Sequence, residues 1–350
     1  VIRVLVAEDS PTIRAFLVGI LETQPDMRVV GCVANGEAAV AAVQDLKPDV
    51  VTMDIHMPGM DGFTATRRIM ETLPVPIVIV SGMMTDQVAA TFRAVEAGAL
   101  AFVRRPAGIG HVDHDAEAAD LVMTVRLMSE VKVVRRWRRP PAVGAAARAA
   151  VAGGTERGNN ATSRPRLVVI GASTGGPMAL QTILCALPTD FPLPILVVQH
   201  IAHGFVEGFA EWLRLSSALE VQVATDFTIA LPGHVYLAPD DRHLGIDRNG
   251  VIRLSDAAPE SGLRPAVSHL FRSVADQFGS ESIGVLLSGM GADGSAELAR
   301  LHELGATTIA QDKTSSVVHG MPGVAIDMGG ATHVLNPTEI GAKLVGLVRG

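Results

Sequence analysis

Short apolar runs of strand length recur along this chain, each followed by a stretch of helical character, and this alternation limits the fold more than any other feature. In the first third, Arg3–Ala7, Met27–Ala34, Val50–Asp54, Ile77–Ser81 and Ala101–Arg104 read as five strands. Ser10-Pro11 opens a helix, Gly36–Leu46 is Ala-rich and helical, Thr85–Ala97 is a helix closed by Gly98, and a last helix covers Glu117–Val134. Strands that read apolar almost throughout belong in a sheet covered on both faces, and the strand–helix series predicts a doubly wound parallel sheet.

A second series opens at Leu167–Ile170. Strands are expected at Ile195–Gln199, Val221–Ala224, Ser282–Leu287 and Thr307–Ala310, and helices at Pro177–Leu187, Phe205–Leu215, Ala266–Phe278 and Ser295–Leu304. Leu244–Asp247 and Val251–Leu254 flank Asn249-Gly250, a hairpin signal. The expected fold class is therefore α/β, with two doubly wound parallel-sheet domains, the second carrying a β-hairpin excursion. Domain one covers 1–134, a basic Ala/Arg/Gly-rich linker 135–163 and domain two 164–350. The linker contains Arg-Arg-Trp137-Arg-Arg-Pro-Pro and a stretch of helical composition, Ala145–Val151.

Charge follows the same division. Residues 1–125 carry 9 Lys/Arg against 16 Asp/Glu, residues 126–166 carry 10 against 2, and residues 167–350 carry 10 against 18. Two acidic blocks joined by a basic strap lack the basic face on a folded module that nucleic acid requires, so none is expected as a partner. No apolar run reaches the ~18–20 residues that cross a bilayer. With no secretory pattern at the start, a cytoplasmic protein without direct membrane insertion is expected. Cys32 and Cys185 give neither a disulfide framework nor a paired-cysteine metal motif, and both are expected to be buried and inert. Met83, Met84, Met123 and Met128 read as packing residues.

In an open α/β sheet, ligands collect at the carboxyl ends of the strands. Those ends carry Glu8-Asp9, Asp54, Ser81 and Arg105-Pro106 in the first series. Three converging carboxylates repel one another and call for a hard divalent cation such as Mg²⁺. A carboxylate can also attack phosphorus and form an acyl phosphate. Ser81 and the Arg105 cation suit the incoming phosphoryl group. The stretches Val-Leu-Val-Ala-Glu8-Asp9-Ser10, Met-Asp54-Ile-His-Met-Pro58-Gly-Met-Asp61-Gly62 and Val-Ser81-Gly resemble the response-regulator receiver family over about residues 1–130. The resemblance implies a flavodoxin-like fold, Asp54 as phosphoacceptor, Glu8 and Asp9 with Asp54 as Mg²⁺ ligands, and Ser81 as switch hydroxyl. One position departs: Arg105 stands where the family usually has lysine, which keeps the charge but not the compact ammonium.

In the second series, Leu167–Ile170 runs into Gly171-Ala-Ser173-Thr174-Gly175-Gly176-Pro177. Glycines around a serine between strand and helix permit a sharp turn that exposes the hydroxyl beside the N–H groups of the helix start. The same turn is compatible with dinucleotide phosphates, but that reading wants an acidic residue at the next strand end, and His200 stands there instead. A third strand end, Val285-Leu-Leu-Ser-Gly289-Met290-Gly291-Ala-Asp293-Gly294, supplies a carboxylate. Ser173 as nucleophile, His200 as general base and Asp293 as orienting anion form a triad whose order, Ser–His–Asp, differs from that of α/β-hydrolases. His200 and His203 have the spacing of a metal pair but lack an evident third ligand. His234, His243, His269, His319 and His333 are scattered, and no role is assigned to them.

Ile-Gly-Ala-Ser173-Thr-Gly-Gly, Val-Val-Gln-His200, Leu-Ser-Gly-Met290-Gly-Ala-Asp293-Gly and Ala310-Gln-Asp-Lys-Thr-Ser-Ser-Val-Val-His-Gly-Met-Pro322 closely resemble the chemotaxis protein-glutamate methylesterase (CheB-type) family over 167–350. What this implies is hydrolysis of γ-glutamyl methyl esters and deamidation of certain glutamines on methyl-accepting chemoreceptors, without a cofactor for that chemistry. It further implies phosphate supplied by a chemotaxis histidine kinase, and a receiver that inhibits the catalytic face until Asp54 is phosphorylated. Thr174 and Met290 match family positions beside the nucleophile and near the oxyanion. Two other classes stay open on sequence alone: a response regulator whose second domain only binds, and a dinucleotide-dependent enzyme.

Overall fold

The structure, a computed structural model, describes residues 1–82, 97–131, 133 and 164–349. All but the last residue of the helix expected at Thr85–Ala97, together with Met83, Met84, Trp137 and the whole linker 135–163, lie outside these residues.

Five parallel strands form the first sheet: β1 (Ile2–Ala7), β2 (Met27–Val33), β3 (Val50–Met53), β4 (Ile77–Ser81) and β5 (Ala101–Arg104), in the order β2-β1-β3-β4-β5. Helices α1 (Pro11–Glu22), α2 (Gly36–Leu46), α3 (Gly62–Thr72) and α4 (His114–Ser129) cover it. Ser10, Asn35 and Asp61 cap the first three, their side-chain oxygens accepting from the backbone N–H three residues on. Strand alternation sorts the core into two faces. Leu5, Met53, Ile77 and Ile79 pack with Ala39, Val43 and Ile69 of α2 and α3, whereas Val4, Val6, Val78 and Val80 pack with Leu17, Leu21, Leu121 and Val125 of α1 and α4.

The second sheet has seven strands, all parallel, in the order β14-β13-β12-β6-β7-β9-β8. They are β6 (Leu167–Ala172), β7 (Ile195–Gln199), β8 (Glu220–Val223), β9 (His234–Leu237), β12 (Ser282–Leu286), β13 (Thr307–Gln311) and β14 (His333–Leu335). The helices are α5 (Gly176–Cys185), α6 (Val206–Ser216), α7 (Val267–Gln277), α8 (Ser295–Glu303), α9 (Met321–Asp327) and α10 (Pro337–Arg349). The hairpin is a separate antiparallel pair, β10 (His243–Ile246) with β11 (Ile252–Ser255), whose Leu244, Ile246 and Ile252 pack against Leu270, Phe271 and Val274 of α7.

Several expectations need correction. Cys32 and Cys185 are exposed, because Cys32 points outward from edge strand β2 and Cys185 lies at the solvent side of the end of α5. Met123 is 48% exposed rather than packed, while Met128 is buried as expected. Helix α4 begins at His114 and stops at Ser129, whose hydroxyl donates to the Arg126 carbonyl at 2.6 Å and competes with continuation of the helix. Strands β9 and β14 and helices α3, α9 and α10 are not expected from the sequence. Gly341 and Gly346 disguise α10, yet Gly341 lets that helix approach α5 so closely that a Cβ there would lie 2.7 Å from Ala186 Cβ.

Candidate active sites at two sheet edges

At the first edge, Glu8 and Asp9 follow β1, Asp54 follows β3, Ser81 ends β4 and Arg105 follows β5. Strand order β1-β3-β4-β5 puts all of them side by side. One carboxylate oxygen each from Glu8, Asp9 and Asp54 falls within a 4.8 Å cluster. The Arg105 guanidinium forks between Glu8 Oε2 at 3.3 Å and Asp54 Oδ1 at 3.4 Å, and its buried Nε has no partner among the described residues. Burial, reinforced by the Asp54 charge, pushes Glu8 up to about 7 despite Arg105. Burial likewise raises the Asp54 pKa against the pull of Arg105. Ser81 is 3% exposed, and its hydroxyl donates at 3.3 Å to the neighbouring Gly82 carbonyl. The donor set suits Mg²⁺: three hard oxygens, two of them on buried carboxylates that a single arginine does not neutralise.

At the second edge, β6 delivers Ser173, whose backbone N–H donates to Ser288 O at 3.0 Å. Gly175 turns the chain into α5 at φ 80°, where a Cβ would lie 2.6 Å from Val317 Cβ. Next to β6, β7 ends before His200, whose N–H donates to Ala172 O at 2.9 Å. On the other side, the turn after β12 carries Asp293. Its Oδ2 accepts from His200 Nε2 at 2.9 Å and from the Val267 N–H at 2.6 Å, and its Oδ1 accepts from the Ser268 N–H at 2.9 Å. Val267 and Ser268 open α7, so the carboxylate sits at a helix N-terminus. Burial would raise the Asp293 pKa, but the hydrogen bonds from His200 and Ser268 outweigh it and hold the carboxyl at about 2. His200 is thus fixed through Nε2, which leaves Nδ1 to act on a proton.

Ser173, His200, Asp293, Thr174 and Met290 line one cavity of about 1040 Å³. Among the described residues, the backbone N–H groups of Thr174 and Met290 have no protein acceptor. Receiver-side residues complete the walls: Ala99–Phe102 around the start of β5, and Asp120, Met123, Thr124 and Leu127 of α4. Phe102 packs against Phe205, the rings tilted by 37° with centroids 4.9 Å apart. The cavity does not include Asp54. The first sheet therefore meets this cleft with its β5/α4 flank, not with its carboxylate edge.

Residues 168–344 match the family model for the CheB methylesterase domain, and residues 4–115 match that for the response regulator receiver domain. The chain belongs to the CheB methylesterase family. A protein-glutamate methylesterase/protein-glutamine glutaminase of Geobacter metallireducens is 52% identical over 99% of both chains. A namesake from Nitrosospira multiformis is 52% identical over 99% of this chain and 97% of its own. The crystal structure of the Thermotoga maritima CheB methylesterase catalytic domain is 42% identical, with TM-score 0.51, and covers 53% of this chain and 99% of that one. As in that family, the chain is an enzyme, a hydrolase that joins a receiver to a methylesterase domain.

Two features of the site were not legible in the sequence. The start of α7 holds Asp293 across a separation of 25–26 residues, and no local pattern marks such a contact. Gln199, beside the histidine, bonds the carbonyls of both Ser173 and His200, and its place directly before His200 was the available signal. His203 is 60% exposed and faces Asp240 and Asp241. His243 lies within reach of Glu260 and His269. Its ring is spent on the fold, Nδ1 accepting from the Ala266 N–H and Nε2 donating to Ala258 O, which leaves no lone pair for a metal.

Proposed function

We propose that this protein demethylates γ-glutamyl methyl esters, and deamidates glutamines, on methyl-accepting chemoreceptors, with Ser173, His200 and Asp293 as its catalytic triad. The observation that carries the reading is the part-buried His200–Asp293 bond one strand away from a serine on a glycine turn. Ser173 Oγ bonds to the ester carbonyl carbon as its proton passes to His200 Nδ1. The methoxy oxygen leaves with that proton as methanol, and water then releases the acyl group as the receptor's glutamate γ-carboxylate and restores the serine. From a glutamine, ammonia leaves instead. The unengaged N–H groups of Thr174 and Met290 suit the oxyanion. Asp293, held as an anion, orients the imidazole and stabilises its protonated form.

Residues 1–134 act as the regulatory receiver in the cytoplasm, with Asp54 taking a phosphoryl group from a chemotaxis histidine kinase and Glu8, Asp9 and Asp54 holding Mg²⁺. Mg²⁺ held by Glu8, Asp9 and Asp54 would screen the charge of the incoming phosphoryl group, to which Arg105 offers a positive partner and Ser81 a hydroxyl. The receiver inhibits by walling the catalytic cleft with Phe102 and α4, a reading supported by the shared cavity. Phosphorylation need only bias an open–closed equilibrium: raising a 1% open population to half-open takes about 2.7 kcal/mol.

Methanol release from methylated receptor membranes tests the chemistry. Ser173→Ala should abolish it while the fold persists, and substantial release by that variant would place the nucleophile elsewhere.

A further inference from the structure

We infer that Gln199 is a positioning residue that locks the nucleophile and the general base into one rigid unit, an inference that rests on the triad reading above. Gln199 is the last residue of β7 and pairs with Ala172, the last residue of β6. Beyond that pair the backbone ladder makes one more rung, His200 N–H to Ala172 O at 2.9 Å. The Gln199 side chain then continues the stitching where the backbone cannot. Its Nε2 donates to Ser173 O at 2.8 Å and to His200 O at 2.8 Å, so one amide group ties the main chains of the two reacting residues together. Ser173 O also accepts from the Gly176 N–H at 2.8 Å, which gives the carbonyl of the nucleophile two donors.

The other end of the amide argues that this is not mere packing. Gln199 is 7% exposed, and its Oε1 is buried without a partner among the described residues. A buried orphan acceptor lowers stability, and an apolar side chain of similar size would avoid that cost. The oxygen lies against Gly176, at the place a Cβ of that residue would need, so the first turn of α5 is shaped around the amide. A glutamine kept here for its donor end, with an acceptor left unsatisfied, fits a requirement for geometry at the site. Displacing a reacting group by about 1 Å is enough to lose on the order of 10²-fold in rate.

The test uses the full-length protein, with a fluorophosphonate probe that labels the active serine and with methanol release from methylated receptor membranes. Gln199→Met removes both donors and the orphan acceptor at similar volume. It should lower the labelling rate and kcat on the order of 10²-fold, leave KM within about twofold, and keep the thermal midpoint at or above that of the parent. Gln199→Glu places an oxygen against two carbonyl oxygens and guards against a folding defect in the first variant. At neutral pH it should be slower still, and relative to the parent it should recover as the pH falls, because the protonated acid regains one donor. Labelling of Gln199→Met at the parent rate, or a Gln199→Glu deficit that does not change with pH, overturns the inference. Ser173→Ala is the control for the reading beneath it: a variant that still takes the probe at the same site would refute the triad itself, whatever Gln199 does.

Discussion

Asp54 and Asp293 both lie past the carboxyl end of a parallel strand in an α/β sheet, Asp54 directly after β3 and Asp293 in the turn that follows β12, and their side chains are nearly equally buried, at 6% and 8% exposure. Their surroundings are opposite. Asp293 receives two backbone N–H groups from the start of α7 and the His200 ring, and its carboxyl is held at about 2. Asp54 has the distant fork of Arg105 and two neighbouring carboxylates, and burial raises its pKa. A carboxylate saturated with donors is stable as an anion and suited to orient a partner. One buried with few donors retains free lone pairs and an uncompensated charge, which suits an incoming cation and phosphoryl group.

The largest effect should come from removing the saturated charge. Asp293→Asn keeps the shape but replaces the acceptor of the His200 Nε2 proton, and kcat should fall on the order of 10⁴-fold. A loss of less than tenfold in methanol release would mean that Asp293 orients nothing. Next in size is the flank that walls the cleft. Residues 164–350 alone should release methanol on the order of 10²-fold faster than the unphosphorylated whole protein, as a 1% open population implies, and ignore phosphodonor. A well-folded fragment no faster than the whole would replace steric inhibition with activation by some other route, such as docking to the receptor.

Smaller changes probe the under-satisfied site. Arg105→Lys exchanges a fork across Glu8 and Asp54 for a compact point charge, which leaves more lone pairs to a divalent cation. Direct Mn²⁺ titration without phosphodonor should show a several-fold tighter site, and unchanged affinity would mean that the guanidinium does not compete. The smallest effect is on stability. With a folded pKa of about 2, below the ordinary carboxylate value, Asp293 contributes about 2 kcal/mol that is fully present above pH ~4 and lost as the pH falls through about 2. The stability gap between the parent and Asp293→Asn should narrow across that window in denaturant titrations, and a constant gap would contradict the depressed pKa.

How far each edge was legible follows from the same contrast. The strands expected at Leu167–Ile170, Ile195–Gln199 and Val50–Asp54 announce themselves by largely apolar character, and Ser173, His200 and Asp54 are found by reading on to their ends. Whatever acts across distant segments stayed hidden: the α7 N–H groups on Asp293, the Phe102–Phe205 contact and the amide of Gln199. Strand β14 is three half-exposed residues at a sheet edge, too short for any periodicity to mark it. The exposed cysteines show the limit of reasoning from residue type, since position on an edge strand or helix end decides burial.

On this proposal the two sheet edges work as one device, with chemistry at Asp54 setting the rate at Ser173. The most direct measurement is methanol release from methylated receptor membranes with Mg²⁺, before and after adding a small phosphodonor, for the parent and for Asp54→Asn. The parent should accelerate, and Asp54→Asn should stay at its basal rate without taking label. An equal acceleration in Asp54→Asn would contradict the account.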